Sequence, residues 1–261
     1  MMLNNFIIVF LVILVLQVLF FIYAVIKKTD VVTDLSYGLA FVIGAFASLL
    51  LGYSYISIFK WLLFLLIAIW GIRLAGFLFV RILRMGKDRR FDGIREVPLK
   101  FASFWILQAI TVFIILLPSI YTLLLPLNME MNIFSYIGFL IAILGILIES
   151  VADMQKFVFK NKEENTGKWI SSGLWKYSRH PNYLGEILMW FGVFIYVLPY
   201  LNGLAIFTFI SPVYITYLLL FVSGVSKLEK EYKERYGGNS QFEEYVRKTG
   251  LLLPKIFVKK N

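Results

Sequence analysis

Long uncharged apolar runs, rather than short alternating ones, set the pattern of this chain. From Phe6 to Ile26 there is no charged residue and one strongly polar one, Gln17. At about 1.5 Å per residue in a helix, that run spans the roughly 30 Å hydrocarbon core of a bilayer. Runs of this kind predict seven membrane-crossing helices, over residues 5–26, 34–52, 61–83, 101–125, 133–156, 183–200 and 203–225. The last two are separated by argument. Ile187 to Ser226 is uncharged for 40 residues, about twice what a bilayer requires, and Pro199, Asn202 and Gly203 supply a turn near its middle. The predicted fold class is therefore all-α, a polytopic membrane helix bundle. No internal repeat, low-complexity tract or soluble linker divides the chain, so residues 1–261 read as one domain. The first segment lacks the basic n-region and small-residue cleavage site of a secretory signal. The charged stretch from Lys227 to about Arg247 has helical tendency and is expected to pack back on the bundle.

Composition agrees with the pattern: 60% of residues are hydrophobic, only 16% are charged, and the mean hydropathy is +0.79. Soluble chains carry about 25% charged residues. The net charge of +10 would suit a nucleic-acid partner, but its distribution argues otherwise. All of the 26 basic residues except Lys60 and Arg73 lie in Lys27–Lys28, Arg81–Lys100, Lys156–Arg179 and Lys227–Lys260, which alternation of the spans puts on one side. Basic residues concentrate on cytoplasmic loops, so the N-terminus is expected outside, the C-terminal tail cytoplasmic, and no nucleic acid bound. The chain has no cysteine and one histidine, His180. Disulfides, thiolate sites and multi-histidine iron centres are thereby excluded, and no metal is expected.

An ionisable side chain inside a span costs about 2.5–3.5 kcal/mol on insertion scales, which makes each one a functional candidate. Five qualify: Asp34, Arg73, Glu149, Asp153 and Glu186. Structural ion pairing, such as Asp34 with Arg73, is the plainer alternative for any one of them. Glu149 and Asp153 are four apart, and Lys156 and Lys160 continue their helical face inward, giving a polar stripe suited to a ligand with both hydroxyls and phosphates. Membrane-edge snorkelling is the competing account of Lys156. The segment Gly173 to Glu186, GLWKYSRHPNYLGE, is denser still. Pro181 marks a helix start, where exposed amides attract anions. Arg179 and His180 would add donors to phosphate, Asn182 and Glu186 would meet amide or ribose groups, and Tyr183 would stack on a ring. An ordered helix-capping loop is the alternative. No Walker loop or G-x-G-x-x-G motif opens a helix after a strand, so any nucleotide is bound outside a Rossmann domain.

These residues resemble the steroid 5-alpha-reductase-like membrane proteins, in particular the bacterial branch known as a domain of unknown function. The resemblance is carried by Asp34-Leu-Ser-Tyr-Gly38, Trp70-Gly-Ile-Arg73, Asp88-Arg-Arg-Phe91 with Arg95 and Gln108, Ala152-Asp-Met-Gln155, and Gly173 to Glu186. Residues 133–258 are its most specific part. It implies a multi-pass protein of the bacterial inner membrane that holds NADPH facing the cytoplasm and reduces a C=C bond conjugated to a carbonyl in a steroid-, sterol- or isoprenoid-like lipid. By this likeness Asp153, Lys160, Arg179, His180, Asn182, Tyr183, Glu186 and Glu229 would bind the cofactor. Asp34 would be the acid that polarises the carbonyl, staying protonated to donate a hydrogen bond. The steroid enzymes carry a tyrosine four residues after the third-span arginine. Here that position is Phe77, so Tyr37 takes the partner role. Arg-His-Pro-x-Tyr also looks like membrane isoprenylcysteine and phospholipid methyltransferases, so methyl transfer from S-adenosylmethionine to a lipid or prenyl-cysteine is one rival. A non-enzymatic lipid carrier or membrane scaffold is the other.

Overall fold

The computed structural model describes residues 2–88 and 91–255; Arg89 and Arg90 of the third resemblance segment lie outside them. Its long helices are α1 (Met2–Lys27), α2 (Thr33–Leu51), α3 (Ile58–Met85), α4 (Pro98–Leu124), α5 (Ile133–Lys160) and α6 (Pro181–Val197). A broken stretch follows: a 3-10 turn at Gly203–Phe209, α7 (Ile210–Tyr217), a π-turn at Leu218–Val222, then α8 (Val225–Tyr236) and α9 (Ser240–Lys248). Among the described residues there is no strand, only an isolated bridge between Ser178 and Gly250. Among the described residues, seven helical stretches are long and apolar enough to cross a membrane, matching the predicted number, and the protein is a multi-pass membrane protein. Outward side chains such as Leu11, Leu140 and Leu144 are apolar and exposed, as lipid contact requires.

Two compact units make up the chain. The first comprises residues 1–139 and 193–211, the second residues 140–192 and 212–261. In unit 1, α2 packs on α1, α3 and α4. Close approach to α3 depends on Gly38 and Gly71. A Cβ on Gly38 would stand 2.7 Å from the Gly71 carbonyl and 2.8 Å from the Ala75 Cβ, the small-residue contact by which membrane helices pack without a hydrophobic driving force. One cluster of polar groups inside unit 1 is closed by its own hydrogen bonds. Gln108 Nε2 donates to Gln17 Oε1 and Ser36 Oγ at 3.0 Å and to the Thr33 carbonyl at 3.2 Å. At the opposite end Lys60, fully buried, donates to the Leu125 carbonyl at 2.7 Å, a cation at the negative end of α4.

Unit 2 uses the same glycine device for α5 and α6. A Cβ on Gly185 would lie 2.5 Å from the Glu149 amide nitrogen and 2.7 Å from the Gly145 carbonyl. The tail is two helices rather than the single one expected, because Gly237 and Gly238 interrupt it and the Asn239 side chain caps α9, accepting from the Gln241 and Phe242 amides. Both helices dock on the 161–180 segment, as expected of the tail. Tyr236 and Phe242 pack on Trp169, the Tyr245 hydroxyl donates to the Trp175 carbonyl at 2.8 Å, and the Arg179 amide donates to the Gly250 carbonyl at 2.9 Å.

Candidate functional site

All eight residues assigned above to a cofactor fall in unit 2, on α5, the 161–180 segment, the start of α6 and α8. Two short motifs position them. Gln155 Oε1 accepts from the Leu174 amide at 2.9 Å, and Trp175 Nε1 donates to the Ala152 carbonyl at 3.0 Å. Ala152-Asp-Met-Gln155 and Gly173-Leu-Trp175 are therefore two halves of one joint. Gly173 is required there: its φ is +59° and a Cβ would come within 2.5 Å of the Gln155 amide group. The joint fixes the segment that ends in Arg179 and His180 against the helix that carries Asp153.

At the start of α6 the Glu229 carboxylate bridges two side chains. Oε2 lies 3.1 Å from Arg179 Nη1, and Oε1 lies 2.7 Å from His180 Nε2. The His180 ring is fully buried and stacks on Tyr183 at 5.7 Å and 8°. Gly224 makes room for this tyrosine, since a Cβ there would stand 3.1 Å from its ring. Burial holds the imidazole pKa below its ordinary 6.5. The Glu229 hydrogen bond pulls it up, while the charges of Lys156 and Arg179 push it down. A neutral ring whose Nε2–H donates to Glu229 leaves Nδ1 as an acceptor. That Nδ1 is buried with no hydrogen-bond partner, and so is Asn182 Oδ1. Asp153 and Glu186, both buried, stand on the two helices that meet at Gly145 and Gly185. The space among Trp169, Trp175, Arg179, Glu229, Tyr232 and Tyr245 is about 10 Å³, room for one water-sized group. Burial raises the Tyr245 hydroxyl pKa, so it stays a donor.

Lys160 is exposed and its Nζ donates to the Lys168 carbonyl at 3.1 Å, which ties the loop. Lys156 instead lies over the Trp175 ring at 4.8 Å and the Tyr232 ring at 5.9 Å. Neither aromatic was singled out from the sequence for this role, although Trp175 stands inside the Gly173 to Glu186 box. In unit 1, Asp34 Oδ2 accepts from Arg81 Nη2 at 3.2 Å. At this oxygen the acid is an acceptor, where the sequence reading expected a donor. Tyr37 packs edge-on against Phe41 at 5.1 Å. Among the described residues no three histidine, aspartate or glutamate side chains group as a metal site.

Fold and site together define an all-α multi-pass membrane protein with a polar, aromatic-lined site in its second unit. The chain belongs to the DUF1295 family of proteins of unknown function, whose profile matches residues 20–249. No curated protein and no solved structure matches it.

Proposed function

We propose that the protein is a membrane-embedded, NADPH-dependent reductase of a C=C bond conjugated to a carbonyl in a hydrophobic substrate drawn from the bilayer. One observation carries the reading. At the start of α6, cationic groups and buried acceptors without partners stand together, Arg179 beside His180 Nδ1 and Asn182 Oδ1. Cations want phosphates, and buried acceptors want hydroxyl or amide donors, because an unmatched buried polar group costs about 1–3 kcal/mol. A nucleotide offers both. NADPH, when bound, supplies the hydride. Arg179 would hold phosphate, Asp153, Asn182 and Glu186 would accept from ribose or amide groups, Tyr183 would stack, and Glu229 would orient His180. Carbonyl polarisation is assigned to Asp34 and Tyr37 on α2, with the donor falling to the tyrosine hydroxyl because Asp34 accepts from Arg81. The positions of the basic residues support a cytoplasmic tail and an inner-membrane location.

The test is NADPH binding to the purified protein in detergent, followed by nicotinamide fluorescence, with S-adenosylmethionine and Asp153→Ala in parallel. Saturable NADPH binding, weakened tenfold or more in the variant, is expected. Binding of S-adenosylmethionine alone would move the reading to methyl transfer, and binding of neither would leave a scaffold or lipid carrier.

A further inference from the structure

Of the two lysines on the inward stripe of α5, the structure separates one that serves the loop from one that faces the site. Lys160 is engaged by the Lys168 carbonyl. Lys156, half-buried, has its ammonium over the faces of Trp175 and Tyr232, and no carboxylate among the described residues lies within ion-pairing distance of it. A snorkelling lysine reaches into water, whereas this one is folded back under an indole.

That indole is rigid. Trp175 is buried, its Nε1 is tied to the Ala152 carbonyl one turn before Lys156, and its own carbonyl accepts from Tyr245. The cation is therefore held in place before any ligand arrives. It is also electrostatically part of the site, since its charge acts on His180 alongside that of Arg179. Of the two cations, Arg179 is engaged by the Glu229 carboxylate and Lys156 by the faces of Trp175 and Tyr232. Asp153, three residues earlier on the same helix, puts an acceptor for hydroxyls beside this cation.

We infer that Lys156, cradled by Trp175 and Tyr232, is a phosphate-binding residue of the unit 2 site, and that Lys160 is not. The inference rests on the dinucleotide reading for its natural ligand but not for its chemistry, which any diphosphate can probe. Calorimetry with NADPH and, separately, with inorganic pyrophosphate is run on the wild type, Lys156→Met, Lys156→Arg and Lys160→Met. Methionine keeps the apolar stem under the indole, and thermal unfolding checks that each variant folds. The expected result is a roughly tenfold or greater loss of affinity for both probes in Lys156→Met, recovery in Lys156→Arg and little change in Lys160→Met. If pyrophosphate binds and depends on Lys156 while NADPH does not bind the wild type, the inference stands and the dinucleotide reading falls. Equal affinities in wild type and Lys156→Met, a larger loss in Lys160→Met, or a wild type that binds neither probe would overturn the inference.

Discussion

Each unit buries a cluster of polar side chains, and the two clusters differ in how they end. In unit 1 the Gln108 amide nitrogen reaches Gln17, Ser36 and Thr33, so polar groups from three helices serve one another. In unit 2 the network runs from Glu229 through Arg179 and His180 and stops at buried acceptors with no partner, beside a lysine held over an indole. Hydrogen bonds between membrane helices act as glue when closed. An open network leaves acceptors for a donor from outside it.

The comparison breaks most sharply at the paired glycines. Gly185→Ala, which would force a Cβ against the Glu149 backbone, is expected to cost about 2–3 kcal/mol and to abolish NADPH binding. Gly38→Ala in unit 1 is expected to cost a similar amount, yet leave the affinity of the folded fraction unchanged. Thermal unfolding with and without NADPH separates the two, and equal loss of binding in both would erase the distinction. Next in size is Trp175→Phe, which removes the indole hydrogen bond to the Ala152 carbonyl and part of the Lys156 cradle. About 1–3 kcal/mol of stability should go, together with affinity. Gln108→Leu is the unit 1 counterpart. Its three lost bonds predict about 0.6–1.7 kcal/mol, visible in unfolding and silent in binding. The smallest effect is on pH. Because His180 is held below 6.5 in the folded state, the unfolded chain takes up its proton first as pH drops. Stability is therefore full above pH 6.5 and falls as pH goes below it, by up to about 1.4 kcal/mol per pH unit until the folded ring also protonates. The Tm of His180→Gln, compared with wild type between pH 7.5 and 5.5, should show a shallower acid limb.

Seven spans were legible because uncharged length is a one-dimensional signal. Their ends were less so: α3 runs on to Met85 and α5 to Lys160, since the hydrophobic run marks the bilayer and not the helix. The seventh span reads as one uncharged run, but it is a 3-10 turn, α7 and a π-turn, a local rewinding that apolar periodicity does not encode. At the site, the residue types were readable and their partners were not. Lys156 and Lys160 have the same chemistry and share one stripe. What distinguishes them is Trp175, 19 residues away along the chain from one of them, and the Lys168 carbonyl for the other. Gln155 stood out in the sequence, but its bond to the Leu174 amide is a long-range pairing that no spacing rule gives.

The Glu229 bridge also orders events during synthesis. The contacts that α1 to α4 make with one another use residues up to 124, so they are available early in translation. The site, by contrast, needs Glu229 on Arg179 and His180, and the Gly250 carbonyl on the Arg179 amide. A ribosome must pass Gly250 before this pocket exists, so a nascent chain halted after α7 carries the helices of unit 1 without the site.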